Sequence, residues 1–184
     1  MKKGFSFVEL VSTVTIISVL AAIIFITVSR YIAKSRVARL ESELLSLKEA
    51  IKRYEDDVGR FPPTSLLRPG QGVAALFERA CSPDIARGDG IQDRTKWLGP
   101  YLTRIPTRNP YGNSNYAAGC AGLGNMGYGF YRTVVPGGGV YYHIRTVVTS
   151  SVAQRVDNDL DNGDGLTAGS VRYFGTTMYF IVVY

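Results

Sequence analysis

An α+β fold is predicted: one long N-terminal helix packed on a small antiparallel sheet. Three observations predict it. Apolar residues crowd into the first thirty positions, a leucine stripe at helical spacing follows without a linker, and from Arg60 Gly and Pro break the chain into short runs. Those runs are rich in Tyr, Thr, Val and Ile, residues that suit a half-buried pleated surface. With 184 residues there is room for one modest domain plus an extended element.

The first element is the run from Phe5 to Ser29, 25 residues with a single charge, Glu9. As a helix it spans roughly 37 Å, enough to cross a hydrocarbon core with some tilt. Lys2 and Lys3 would hold the N-terminus on the cytoplasmic side, with the rest of the chain exported. An ordinary signal peptide has a shorter apolar core followed by a small-x-small cleavage site, whereas Ala21-Ala22 lies inside this run. A plain single-pass anchor leaves Glu9 unexplained, because a carboxylate in an apolar span is costly without a partner. Cleavage between Gly4 and Phe5 would create one, the new α-amino group of Phe5. Offered to Glu9 of a neighbouring copy, that amine would set axial register between packed helices.

The second element is amphipathic. Leu40, Leu44, Leu47, Ile51, Tyr54 and Val58 recur in steps of 4, 3, 4, 3 and 4. The opposite face carries Glu49 with Arg53, Lys52 with Asp56 and Arg53 with Asp57 at i, i+4 spacing. Gly59 suits the position after a helix end, and Pro62-Pro63 prevents continuation. One helix from about Phe5 to about Val58 results, its stripe acting as a core face and not as a coiled-coil seam. The divisions are 1–4, a leader; 5–29, the apolar half of the helix; 30–58, its amphipathic half; and 59–184, the head.

In the head a short helix is expected at about Gly72–Ala80, with Val73, Leu76 and Phe77 on one face. Turns follow through Trp97–Leu102, Ile105-Pro106 and Asn109–Asn113. Strands are expected at Gly127–Val135, Val140–Ser150 and Val171–Tyr184, packed across the leucine stripe. Gly137-Gly138-Gly139 reads as a turn between strands, His143 as a structural residue within one, and the twelve tyrosines as sheet residues. For the two cysteines, Cys81 and Cys120, two readings stand: separate buried thiols, or one disulfide worth on the order of 4 kcal/mol in the chain-entropy picture.

The formal charge of +6 falls to +4 without Lys2 and Lys3 (6 − 2), and the basic residues of 30–60 alternate with acids. No dense basic stripe argues for nucleic acid. There is no nucleophile elbow, phosphate loop, dinucleotide fingerprint or zinc spacing, so the chain is expected not to be an enzyme.

Lys2-Lys3-Gly4 followed by Phe5-Ser6-Phe7-Val8-Glu9-Leu10 resembles the processing motif of type IV prepilins and type II secretion pseudopilins. The resemblance implies that a prepilin peptidase cuts after Gly4 and N-methylates Phe5, and that Glu9 is the fifth mature residue. Ser6 stands where Thr is usual. Many relatives carry a proline late in the apolar segment; this chain has Ile26 near that place, and no Gly or Pro between Phe5 and Ser29. Tyr54–Pro62, Gly99–Leu102 and Asn109-Pro110-Tyr111-Gly112-Asn113 resemble, in order, motifs of major pseudopilins, which usually have Asp-Pro-Trp-Gly-Asn at the last. The resemblance covers about two-thirds of the chain; residues 114–184 match loosely.

It implies a structural subunit, single-pass in the inner membrane before assembly and then part of a periplasmic or extracellular homopolymer. Its partners would be the peptidase, an inner-membrane assembly platform and minor pseudopilins. The alternatives are a true type IV pilin serving adhesion, motility or DNA uptake, and a membrane-anchored calcium-dependent binding protein. Asp157–Gly165 presents carboxylates at alternating positions with glycines for a tight turn, as a hard cation requires. It is not an EF-hand: the glycine comes one place late, and the twelfth position from Asp157 is Ala168. Major pseudopilins bind calcium (Ca²⁺) in a C-terminal loop, which makes Asp157, Asp159, Asp161 and Asp164 candidate ligands, with Ser170 a weak extra. The competing reading is a solvated acidic turn.

Overall fold

A computed structural model describes residues 6–64, 70–82, 93–134 and 140–183. The chain divides into two units, residues 1–36 and 37–184. Helix α1 (Phe7–Val58) is 52 residues long. In the first unit every described side chain of α1 is exposed, including Phe7, Ile17 and Phe25. Ser12, Thr13, Thr15, Ser18, Thr27 and Ser29 turn their hydroxyls back onto carbonyls three or four residues earlier, at 2.8–3.1 Å. Each of these hydroxyls is thereby satisfied within the helix.

In the second unit α1 has two faces. Leu40, Leu44, Ile51, Tyr54 and Val58 are fully buried and Leu47 nearly so, as the stripe predicts. The helix stops at Gly59, whose N–H bonds the Glu55 carbonyl at 2.7 Å and whose φ of +83° is open to glycine without strain. The short helix expected at Gly72–Ala80 is instead α2 (Gly70–Ala75) and a separate 3-10 turn at Arg79–Cys81. The break has a cause: the Leu76 carbonyl accepts from the backbone N–H groups of Tyr101 (2.7 Å) and Leu102 (3.2 Å), so it is lost to a helix. A one-turn helix α3 (Asp93–Lys96) follows.

β1 (Tyr116–Ala117) and β2 (Asn125–Met126) form a two-stranded ladder. β3 (Gly129–Val134), β4 (Val140–Val147), β5 (Val171–Phe174) and β6 (Thr177–Val183) form an antiparallel sheet in the order β3-β4-β6-β5. The run expected as one strand over Val171–Tyr184 is thus a hairpin, turning at Gly175 (φ +64°). The expected strand Val140–Ser150 ends at Val147, and Thr149 precedes a helix, α4 (Ser150–Leu160), that buries Val152, Ala153 and Val156. Phe130, Ile144, Met178 and Phe180 point from the sheet into one core with the α1 stripe.

Cys81 and Cys120 are joined in a disulfide across a sequence separation of 39. Asn109 locks the turn before β1 to the sheet. Its Nδ2 donates to Thr146 Oγ1 at 2.9 Å and the Val147 carbonyl at 2.8 Å, while its Oδ1 accepts from the N–H groups of Tyr111 (2.9 Å) and Asn113 (3.1 Å).

Candidate functional site

The acidic stretch straddles the end of α4, which decides which carboxylates meet. Asp157 lies in the last turn of the helix and Asp161 is its C-cap, four residues on and so on the same face. The chain then folds back around Asp157, whose carbonyl accepts from the N–H groups of Asp161 (2.9 Å) and Gly163 (3.1 Å). This fold-back needs left-handed backbone at Asn162 (φ +59°) and Gly163 (φ +69°). It brings Asp164 to the other two, so that one oxygen from each of Asp157, Asp161 and Asp164 lies within 4.8 Å of the others.

Hydrogen bonds hold two of the three in place. Asp157 Oδ2 accepts from Gln154 Nε2 (3.2 Å) and the Gly165 N–H (3.3 Å). Asp161 Oδ2 accepts from the N–H groups of Ser170 and Val171, the latter at 3.0 Å. Asp157 is fully buried and its Oδ1 has no hydrogen-bond partner. A buried carboxylate oxygen without a donor is costly unless a cation takes that place. Local desolvation and the charges of Asp161 and Asp157 push the Asp164 carboxyl above its ordinary value. At Gly169 (φ +58°) a Cβ would strike the carboxylates of Asp161 and Asp164. Three convergent hard oxygens, one of them orphaned and buried, fit a divalent cation of the calcium or magnesium class.

Asp159 does not join this cluster. Two residues from Asp157 on a helix means about 200° around the axis, and its carboxyl meets Glu41 of α1 instead. Desolvation and the charge and hydrogen bond of Asp159 push the Glu41 carboxyl up to about 7. Ser170 serves the cluster through its backbone N–H.

The second candidate feature is the start of α1. Gly4 and Phe5 lie outside the described residues. Glu9 is exposed, and its Oε2 accepts from the Ser6 N–H at 3.0 Å. Ser6-Phe7-Val8-Glu9 therefore has the spacing of a capping box, with the carboxylate satisfying an orphan donor at the helix start. The sequence reading missed this local role, which the Ser-x-x-Glu pattern could have revealed. α1 contains a span long and apolar enough to cross a membrane, none of it buried in the chain.

His143 is buried in β4, with Nε2 accepting from Arg145 Nε at 2.9 Å. A cleft of about 440 Å³ is lined by Arg39, Glu43, Arg104, Arg108 and Asn109, among others. Comparison with protein-family models, with curated proteins and with solved structures finds no match to this chain.

Proposed function

We propose that this chain is the bulk subunit of a type IV pilus-like filament, most similar to a major pseudopilin of a type II secretion system that drives protein export. The observation that carries the reading is the first unit, whose helix is apolar on all sides up to Ser29 apart from Glu9, with no described side chain buried in its own chain. Such a surface requires cover from outside, first by lipid and then by the same helix of other copies. Cleavage after Gly4 by a prepilin peptidase, with methylation of Phe5, would free the amine that Glu9 pairs with across copies. An inner-membrane platform and minor pseudopilins would start and drive the assembly. The role is mechanical, and no reaction is assigned to the chain.

Asp157, Asp161 and Asp164 would hold calcium, closing the α4–β5 connection; their carboxylates supply the donors and the cation neutralises them. The same cluster favours a second reading, an uncut single-pass protein with a calcium-dependent binding head.

Intact-mass and N-terminal analysis of protein isolated from its native membrane separates the two. The filament reading expects a chain that begins at Phe5 and carries one added methyl. A chain still beginning at Met1, in cells with an active prepilin peptidase, overturns it. Because Glu9 also caps its own helix, Glu9→Gln is the informative variant. Gln can still cap, so normal membrane insertion with little or no fibre is expected, and normal fibre yield would reduce Glu9 to a cap.

A further inference from the structure

The face of the sheet opposite Phe130, Ile144, Met178 and Phe180 carries a second arrangement of polar groups, much of it buried. Tyr131 of β3, His143 and Arg145 of β4 and Tyr179 of β6 alternate with the core residues Phe130, Ile144, Met178 and Phe180. The guanidinium of Arg145 is held between two rings, its central carbon 3.9 Å from the Tyr131 centroid and 4.8 Å from that of Tyr179. His143 fixes its third direction by accepting from Nε at 2.9 Å, and its own ring stacks on Tyr131 at 5.8 Å. Burial and the Arg145 charge pull the imidazole down to about 4, so at neutral pH it remains an acceptor. Tyr116 extends the array, 6.2 Å from Tyr131.

What this clamp leaves open is as informative as what it holds. The terminal nitrogens of Arg145 and the hydroxyls of Tyr116, Tyr131 and Tyr179 make no hydrogen bond among the described residues, and none of them is a fully sealed atom left without a partner. Tyr116 and Tyr131 are only 7 % and 9 % exposed, whereas Arg145 and Tyr179 are half-buried. Burial raises the Tyr116 and Tyr131 hydroxyls above their ordinary value, the Arg145 charge opposes that rise, and no carboxylate contributes. The result is one positive charge fixed between aromatic rings, with unpaired donors on the same cluster of side chains.

We infer that this sheet face is a binding site for an oxyanion, a carboxylate or a phosphate group, taken by the terminal edge of Arg145 with the hydroxyls of Tyr116, Tyr131 and Tyr179. A planar guanidinium edge matches either group with two parallel hydrogen bonds. Clamping it beforehand removes much of the ordering cost of binding. A clamp that served only to stiffen the sheet would need the rings but not their hydroxyls.

The test uses the full-length chain in detergent, titrated calorimetrically with sodium phosphate and with sodium acetate at constant ionic strength. Saturable binding of at least one is expected. Phosphate alone would assign a phosphorylated ligand, and comparable acetate binding a carboxylate. Arg145→Lys keeps the charge but loses the planar fork, and should weaken binding at least about tenfold. Tyr116→Phe and Tyr179→Phe keep the rings, and should each weaken it roughly three- to tenfold with an unchanged melting temperature. Absence of saturable binding by either anion overturns the site. So does undiminished binding in the Tyr116→Phe, Tyr179→Phe double variant, which tests the hydroxyls even if the Arg145 variant fails to fold.

Discussion

Between Phe7 and Arg36 every described side chain of α1 is exposed, whereas between Val37 and Val58 six positions of its leucine stripe are sealed from solvent. The backbone repeats the same turn in both stretches. Apolar residues occupy all sides of the first, and no single face of it offers a seam for a globular partner. The second alternates faces, and its polar side is tied down locally: Glu43 takes Arg39 at 2.8 Å and the Tyr128 hydroxyl at 2.5 Å. The contrast teaches that helical period alone does not say what a helix packs on. The distribution of polar residues around it does.

The sharpest way to test that contrast is to weaken the head from within. Replacing Cys81 and Cys120 by Ala should cost about 4 kcal/mol, since the bridge closes a long loop; chemical unfolding followed by Trp97 fluorescence reads it. Leu44→Ala, which empties a fully buried site, should cost about 3 kcal/mol in the same assay. Ile17→Ala should leave head stability within about 0.5 kcal/mol, and an equal loss from it would dissolve the distinction between the two stretches.

Cation removal comes next in size. Saturating chelator should lower the head's melting temperature by roughly 5–11 °C if the cation was present near 100 times its dissociation constant. Asp157→Asn should abolish that sensitivity and Asp159→Asn should not. No shift with chelator in the unaltered chain would return the cluster to an acidic turn.

The smallest effect concerns pH. Glu41 is held near 7 in the folded head against an ordinary 4.5, so the folded state binds the extra proton. Its contribution favours the fold at pH 5 and is lost as pH rises through 7. Glu41→Gln should remove that slope. His143, depressed to about 4, acts oppositely below pH 6.5, so the difference between variant and parent is the quantity to measure.

Much of the head was legible where one rule acted alone. The stripe from Leu40 to Val58 needed only helical spacing, and Gly59 only a left-handed position. Helix α4 was missed because strand-like Val140–Val147 runs into Thr149-Ser150-Ser151 without a Gly or Pro to mark the change. The apolar spacing of Val152, Val156 and Leu160 was the available signal. That omission carried into the acidic stretch: alternation suits an extended loop, whereas on a helix it separates Asp159 from Asp157 and Asp161. The Arg145 clamp depends on three strands in register, which no local pattern encodes.

Asn109 shows how far a single amide can restrict what may stand at its own position. Its Nδ2 donates to the Thr146 hydroxyl oxygen and to the Val147 carbonyl. An Asp at 109 would set carboxylate against carbonyl, and the second partner is backbone. No replacement at 147 can turn that acceptor into a donor, because it belongs to the backbone. Asn109→Asp is therefore expected to weaken the hold of the turn on strand β4.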